Sequence, residues 1–180
     1  MLNAKVHKAI NEQINAELYS AYLYMSMMAH FEAKTLLGFA TWLRVQSMEE
    51  TLHAFKFYDY VIERGGQVTL KAIAGPPTEW TTPLAAFEEV LKHEQKVTGL
   101  INKIMDIALE ARDHASSSFL HWYVDEQVEE EASAEQIVQK LKLIGDSPQA
   151  LLMLDAELGA RVFTMPAGMP SSIAGPGAGA

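Results

Sequence analysis

Apolar residues recur along this chain at three- and four-residue intervals in five blocks, the period of amphipathic helices, and no long stretch alternates with the period of two that marks a strand. The first block, about Asn3 to Lys34, carries the stripe Val6, Ile10, Ile14, Leu18, Ala21, Met25 and Met28, with Glu17 and Tyr24 beside it. After a break at 35–38, a second helix ends at Glu63-Arg64-Gly65-Gly66, where Gly65 suits the left-handed position that closes a helix. Residues 67–81 include Gly75-Pro76-Pro77 and are too long for a turn and too proline-rich for a helix. Extended at about 3.3 Å per residue this segment reaches roughly 50 Å, more than the roughly 42 Å of a 28-residue helix. It can therefore cross a whole bundle.

Thr82 as cap and Pro83 at the first helical position open a third helix, with Phe87, Val90, Glu94, Val97, Ile101, Ile104 and Ala108 on one face. A break at 111–113 leads to a fourth, carrying Leu120, Tyr123, Gln127, Glu130, Ala134, Ile137, Leu141 and Ile144 and stopping at Gly145. Ser147-Pro148 starts a short fifth helix, about Pro148 to Val162, with Leu151, Leu154 and Leu158 on one side. The pattern predicts an all-α fold: two helical hairpins joined by a long crossover into a four-helix bundle, plus a short fifth helix. Residues 1–163 form one domain, and 164–180, rich in proline and glycine, form a flexible tail.

The polar exceptions on these faces carry the chemistry. In the second helix the buried rows are Leu43, Ser47, Glu50, Phe57 and Val61, with Gln46, His53 and Tyr60 adjoining, so Glu50 and His53 fall at core positions one turn apart. The segment 42–53 aligns without gaps with 119–130, an offset of 130 − 53 = 77, and Glu49, Glu50 and His53 fall opposite Glu126, Gln127 and Glu130. The same offset carries Glu17 to Glu94 (17 + 77 = 94). The midpoints of Glu17 and Glu50, near Ala33, and of Glu94 and Gln127, near Ala111, fall within about two residues of the two predicted turns, which sets these side chains at one height in the bundle centre.

Several carboxylates buried together repel and are desolvated at a cost of many kcal/mol, a penalty that divalent cations remove. Oxygen-rich ligands with one imidazole favour iron or manganese, with zinc as competitor. The absence of cysteine excludes thiolate metal sites, disulfides and thiol nucleophiles. A net charge of −9 opposes nucleic acid and anionic membranes and attracts cations. The start of the chain has no signal-peptide core and no apolar run is long enough to span a bilayer, so a cytoplasmic location is expected. His7, His30, His93, His114 and His121 read as surface residues, and Met25, Met28 and Met105 as core fillers.

A Glu from each of two helices with a Glu-x-x-His pair from each of the other two is the arrangement of di-iron carboxylate bundles; this chain has Glu17, Glu94 and one such pair, Glu50-x-x-His53, and over residues 1 to about 163 it resembles the non-haem ferritins of bacteria and archaea. The resemblance implies a ferroxidase centre with Glu17, Glu50 and His53 on a first iron, Glu94 and Glu130 on a second, Glu50 bridging and Gln127 beside them. Tyr24 matches the tyrosine that this family keeps at the centre. Glu49, Glu126 and Glu129, with Glu130 shared, match a third iron site. The family implies a homo-oligomeric shell of twenty-four subunits that oxidises Fe(II) with dioxygen or hydrogen peroxide and stores the product as mineral, with the fifth helix lining fourfold channels. Bacterioferritins differ: their second Glu-x-x-His is Gln127-x-x-Glu130 here and their haem-binding Met is Thr51, so no haem is expected. Rubrerythrin-like peroxidases carry a cysteine-rich segment, mini-ferritins put a helix in the long loop, and a non-catalytic cytokine-like bundle would be apolar at 17, 50, 53, 94 and 130; none suits this chain.

Overall fold

The computed structural model describes residues 2–165. It contains α1 (Ala4–Ala33), α2 (Leu37–Glu63), α3 (Pro83–Glu110), α4 (His114–Ile144) and α5 (Pro148–Leu158), with no strand among the described residues. α1 packs along α2, α3 along α4, α1 against α3, and α5 against α2 and α4. The crossover between α2 and α3 is pinned at one end by Asn11, whose Oδ1 accepts from the Thr69 amide at 2.6 Å, and at the other by Trp80, whose Nε1 donates to Glu89 at 2.6 Å.

Local chemistry explains the helix starts. Asn3, Thr82, Asp113 and Ser147 each accept a backbone N–H of the first turn, and Pro83 and Pro148 occupy first-turn positions that need no donor. α2 has no cap of its own. Its first free amides, Gly38 and Phe39, donate instead to Asp155 Oδ1 of α5 at 2.8 and 3.0 Å. A Cβ at Gly38 would lie 1.6 Å from the Asp155 carbonyl oxygen, so only glycine lets α5 seat there.

The internal repeat extends to the backbone of the turns. Thr35 and Arg112, one offset of 112 − 35 = 77 apart, are the two non-glycine residues with positive φ among the described residues, at 58° and 52°. Equivalent bonds close both helix ends, from Leu36 N to Phe31 O and from Asp113 N to Ala108 O, at 3.1 and 2.9 Å. These are six-to-one bonds around a left-handed residue, the geometry that usually recruits glycine. Gly65, at φ 72°, fills the predicted left-handed position after α2.

The core divides in two. One cluster, including Tyr24, Met27, Phe31, Phe39, Phe87 and Leu141, fills the end near α5; the other, including Ile10, Ile14, Phe57, Ile101, Leu120 and Tyr123, fills the opposite end. Between them, in each of the four long helices, lies a buried polar layer formed by Glu17, Gln46, Glu50, His53, Glu94, Gln127 and Glu130.

Three details differ from expectation. Met25 is 50% exposed, and Met27 takes the core position, because Glu17 and Tyr24 belong to the buried face and rotate the stripe by one residue. α5 stops at Leu158, where Gly159 forms the cap, rather than near Val162. His93 is half-buried, its Nε2 2.8 Å from Ser20 Oγ, and burial followed by Lys96 holds its pKa down at about 4; His7 and His30 are also partly covered, while His114 and His121 are exposed. The expected tail lies almost wholly outside the described residues.

Candidate metal centre

Each long helix contributes to the polar layer because its 3.6-residue period brings a polar side chain onto an otherwise apolar face. Glu17 comes from α1, Glu50 and His53 from α2, Glu94 from α3, and Gln127 and Glu130 from α4. Glu17, Glu50, His53 and Glu94 are no more than 2% exposed, and Gln127 and Glu130 are 5% and 6% exposed.

Ligand atoms of Glu17, Glu50 and His53 all lie within 4.8 Å of one another, as do those of His53, Glu126 and Glu130. Donors around a small divalent cation sit about 2.0–2.2 Å from it and so at most about 4.4 Å apart. A small inward shift of these side chains therefore seats an ion. Glu17 Oε2, Glu50 Oε1 and His53 Nε2 are buried with no hydrogen-bond partner, a cost that a cation repays directly.

The remaining atoms are held in place. Gln13 Nε2 donates to Glu17 Oε1 at 3.0 Å. The Tyr24 hydroxyl donates to Glu94 Oε1, and Gln127 Nε2 lies 3.4 Å from Glu94 Oε2. Glu94 belongs to neither three-residue group. Gln46 Nε2 donates to Glu130 Oε2 at 2.5 Å, Tyr123 donates to the His53 carbonyl at 2.8 Å, and the His53 ring meets the Trp122 edge.

Burial and mutual repulsion raise the carboxyls of the cluster. Burial, then the Glu50 carboxylate, pushes Glu17 up to about 8; burial, then Glu94, does the same to Glu130. Glu50 and Glu94 are raised well above the usual carboxylate range, first by burial and then by Glu130 and Glu50 respectively. Burial and the nearby Glu94 also raise the Tyr24 phenol, which stays protonated and donates.

Glu49, Glu126 and Glu129 lie on the outer side of this layer and line, with Asp125, Glu130 and Arg161, a pocket of about 510 Å³. Burial raises Glu49 and Glu126, opposed by Arg161 and His53 respectively. The Lys56 ammonium sits 4.1 Å from the Trp122 ring centre at the same edge. Glu129 is exposed. The structure brings Glu17, Tyr24, Glu50, His53, Glu94, Gln127 and Glu130 together in the buried layer and sets Glu49, Glu126 and Glu129 at its outer pocket; the sequence pattern does not single out Gln13, Gln46 as a donor to Glu130, or Arg161. Gln46 was recognisable as a polar residue on the buried row one turn before Glu50; nothing in the local sequence points to Arg161.

Among known proteins, the chain matches the ferritin-like domain family over residues 7–144. It is 45% identical over 161 residues to a bacterial non-heme ferritin of Bacteroides fragilis, covering 89% of this chain and 100% of that protein. A bacterial non-heme ferritin of Staphylococcus saprophyticus is 42% identical over 163 residues, 91% of this chain and 98% of that one. Among solved structures, a closed form of the Archaeoglobus fulgidus ferritin engineered by site-directed mutagenesis superposes with a TM-score of 0.90 at 54% identity, over 91% of this chain and 100% of that chain. The open-pore ferritin from the same hyperthermophile superposes with a TM-score of 0.89 at 53% identity, over 90% and 100%.

Proposed function

This chain belongs to the ferritin-like domain family and is a relative of bacterial non-heme ferritins, and on that premise we propose that it stores iron and oxidises it, taking up Fe(II) as substrate in the polar layer of the bundle. The observation that carries the reading is the set of three partnerless buried ligand atoms on Glu17, Glu50 and His53. Glu17, Glu50 and His53 hold one Fe(II); Glu94 and Glu130 hold a second, with Glu50 between them and Gln127 beside. Each of two Fe(II) gives up one electron, and dioxygen accepts both with two protons to become hydrogen peroxide; peroxide is the alternative oxidant. The protein's part is placement: it fixes two cations close together in a site closed to bulk water.

Tyr24 keeps Glu94 oriented by its hydrogen bond. The protons that leave Glu17, Glu50, Glu94 and Glu130 as cations enter compensate the incoming charge. Glu49, Glu126 and Glu129 form a third iron position between the bundle centre and the surface. The functional unit is the domain 1–163, in the cytoplasm; no described helix is long and apolar enough to cross a membrane. The outer faces of α1 and α2 and the crossover leave Tyr22, Met25, Phe55, Ile62, Leu70 and Ile73 exposed, apolar surface that further copies of the chain cover in a twenty-four-subunit shell around the mineral.

The test is anaerobic Fe(II) titration of the metal-free protein followed by air, beside a His53→Ala/Glu130→Ala double variant. The wild type binds two or more Fe(II) per chain, oxidises them rapidly and keeps a soluble mineral, while the variant lags. Equal rates would remove the site assignment.

A further inference from the structure

Arg161 lies just beyond α5, yet its guanidinium reaches back to the edge of the polar layer. Nη2 donates to Glu49 Oε2 at 2.5 Å and Nη1 to Gln46 Oε1 at 2.9 Å, while the guanidinium carbon lies 4.5 Å from the Trp42 ring centre. The ion pair is largely shielded, the two side chains being 23% and 13% exposed. α5 is seated by the Gly38 and Asp155 contacts described above, so the chain leaves it at a fixed place.

An arginine can only donate hydrogen bonds. Gln46 must therefore present its carbonyl oxygen to Arg161, which leaves its amide nitrogen pointing the other way, onto Glu130 Oε2 at 2.5 Å. One guanidinium thus neutralises a carboxylate of the outer pocket and, through one amide, fixes the direction of a carboxylate of the inner layer. The planar fork, held on an aromatic face, suits two partners at once as a lysine would not.

We propose that Arg161 is a built-in cation that occupies Glu49 until a metal displaces it, and so sets the order of filling: the bundle centre first, the outer pocket afterwards. This rests on the iron-site reading given under Proposed function and extends it to a positioning residue outside the four long helices. A divalent cation that takes Glu49 Oε2 must break a shielded, charge-assisted contact, and one that takes Oε1 alone meets the guanidinium's like charge beside it, so either route weakens the outer pocket relative to the centre. Removing the guanidinium is expected to tighten the outer class of sites by about tenfold, the scale of one charge-assisted hydrogen bond.

Zn(II), which needs no oxidant, is the probe. Calorimetric titration of the metal-free assembled protein compares wild type, Arg161→Gln, Glu49→Gln and the double variant. The expected result is a weaker third class per chain in wild type that tightens about tenfold in Arg161→Gln and does not tighten when Glu49 is also Gln, in keeping with a direct competition. An unchanged third class, or an equal gain with Glu49→Gln present, overturns the proposal. Wild type alone supplies a second measurement that no folding defect can spoil: with Zn(II) bound at Glu49 in a crystal, the guanidinium has left that carboxylate. A metal-bound Glu49 still paired with Arg161 overturns the proposal as well. If Zn(II) fails to bind in the centre of the wild-type bundle, the iron-site reading falls and takes this inference with it; central binding with an indifferent Arg161 removes this inference alone.

Discussion

Replacing Glu17 by glutamine should make the metal-free protein more stable, by an amount that depends on pH in a defined direction. Glu17 is fully buried and its carboxyl is raised from 4.5 to about 8, by burial first and by Glu50 second. Because its folded-state pKa is the higher one, the folded protein keeps a proton that the unfolded chain releases between those values. The stability this supplies is complete below pH 4.5 and is lost as pH rises through about 8. At 1.36 kcal/mol per pH unit the full loss is about 5 kcal/mol, and with local relaxation and water entry about half of that is expected. Glutamine keeps the size, accepts the Gln13 bond and has no charge to bury. Thermal melts in chelator at fixed protein concentration should show Glu17→Gln equal to wild type near pH 4.5 and higher by roughly 5–10 °C at pH 9. Added divalent cation should then stabilise wild type more than the variant. A variant less stable than wild type at pH 9, or a difference that does not vary with pH, would mean that Glu17 is not held protonated by its burial.

Other expectations follow from the same structure. Thr35 holds φ at 58°, costly for a β-branched residue, so Thr35→Gly should gain about 1 kcal/mol and raise the melting temperature by roughly 2–4 °C; a lower melting temperature would contradict this. Gly38→Ala brings a Cβ 1.6 Å from the Asp155 carbonyl oxygen and should cost about 3 kcal/mol or release α5, read as faster proteolytic cleavage near residue 146 in the assembled protein. Tyr24→Phe leaves Glu94 without its hydroxyl donor and should cost about 1–3 kcal/mol in chemical denaturation of the metal-free protein above pH 7.

The helices and their ends were legible because their signals are local: caps at Thr82 and Ser147, prolines in first turns, Gly65 and Gly145 at stops. The polar layer was legible for another reason, since charge at core positions is rare and here it recurs at one spacing in both hairpins. That offset also places Thr35 and Arg112 in the same strained turn, although neither residue type advertises a left-handed conformation. Where polar residues occupy the core, hydrophobic counting goes astray: Met25 falls inward on the apolar pattern, but Glu17 and Tyr24 take the buried face and turn it outward. Contacts between distant segments left no local trace. Arg161 and Gln46 are 115 residues apart, and the capping of α2 by Asp155 becomes visible only once α5 is docked.

Everything proposed for this chain depends on the polar layer receiving two iron ions. Diffraction at the iron absorption edge, from crystals loaded anaerobically with Fe(II), tests it most directly. Two anomalous peaks per chain are expected inside the bundle, one bounded by Glu17, Glu50 and His53 and one by Glu50, Glu94 and Glu130. Iron confined to the outer pocket of Glu49, Glu126 and Glu129, with none in the layer, would contradict it.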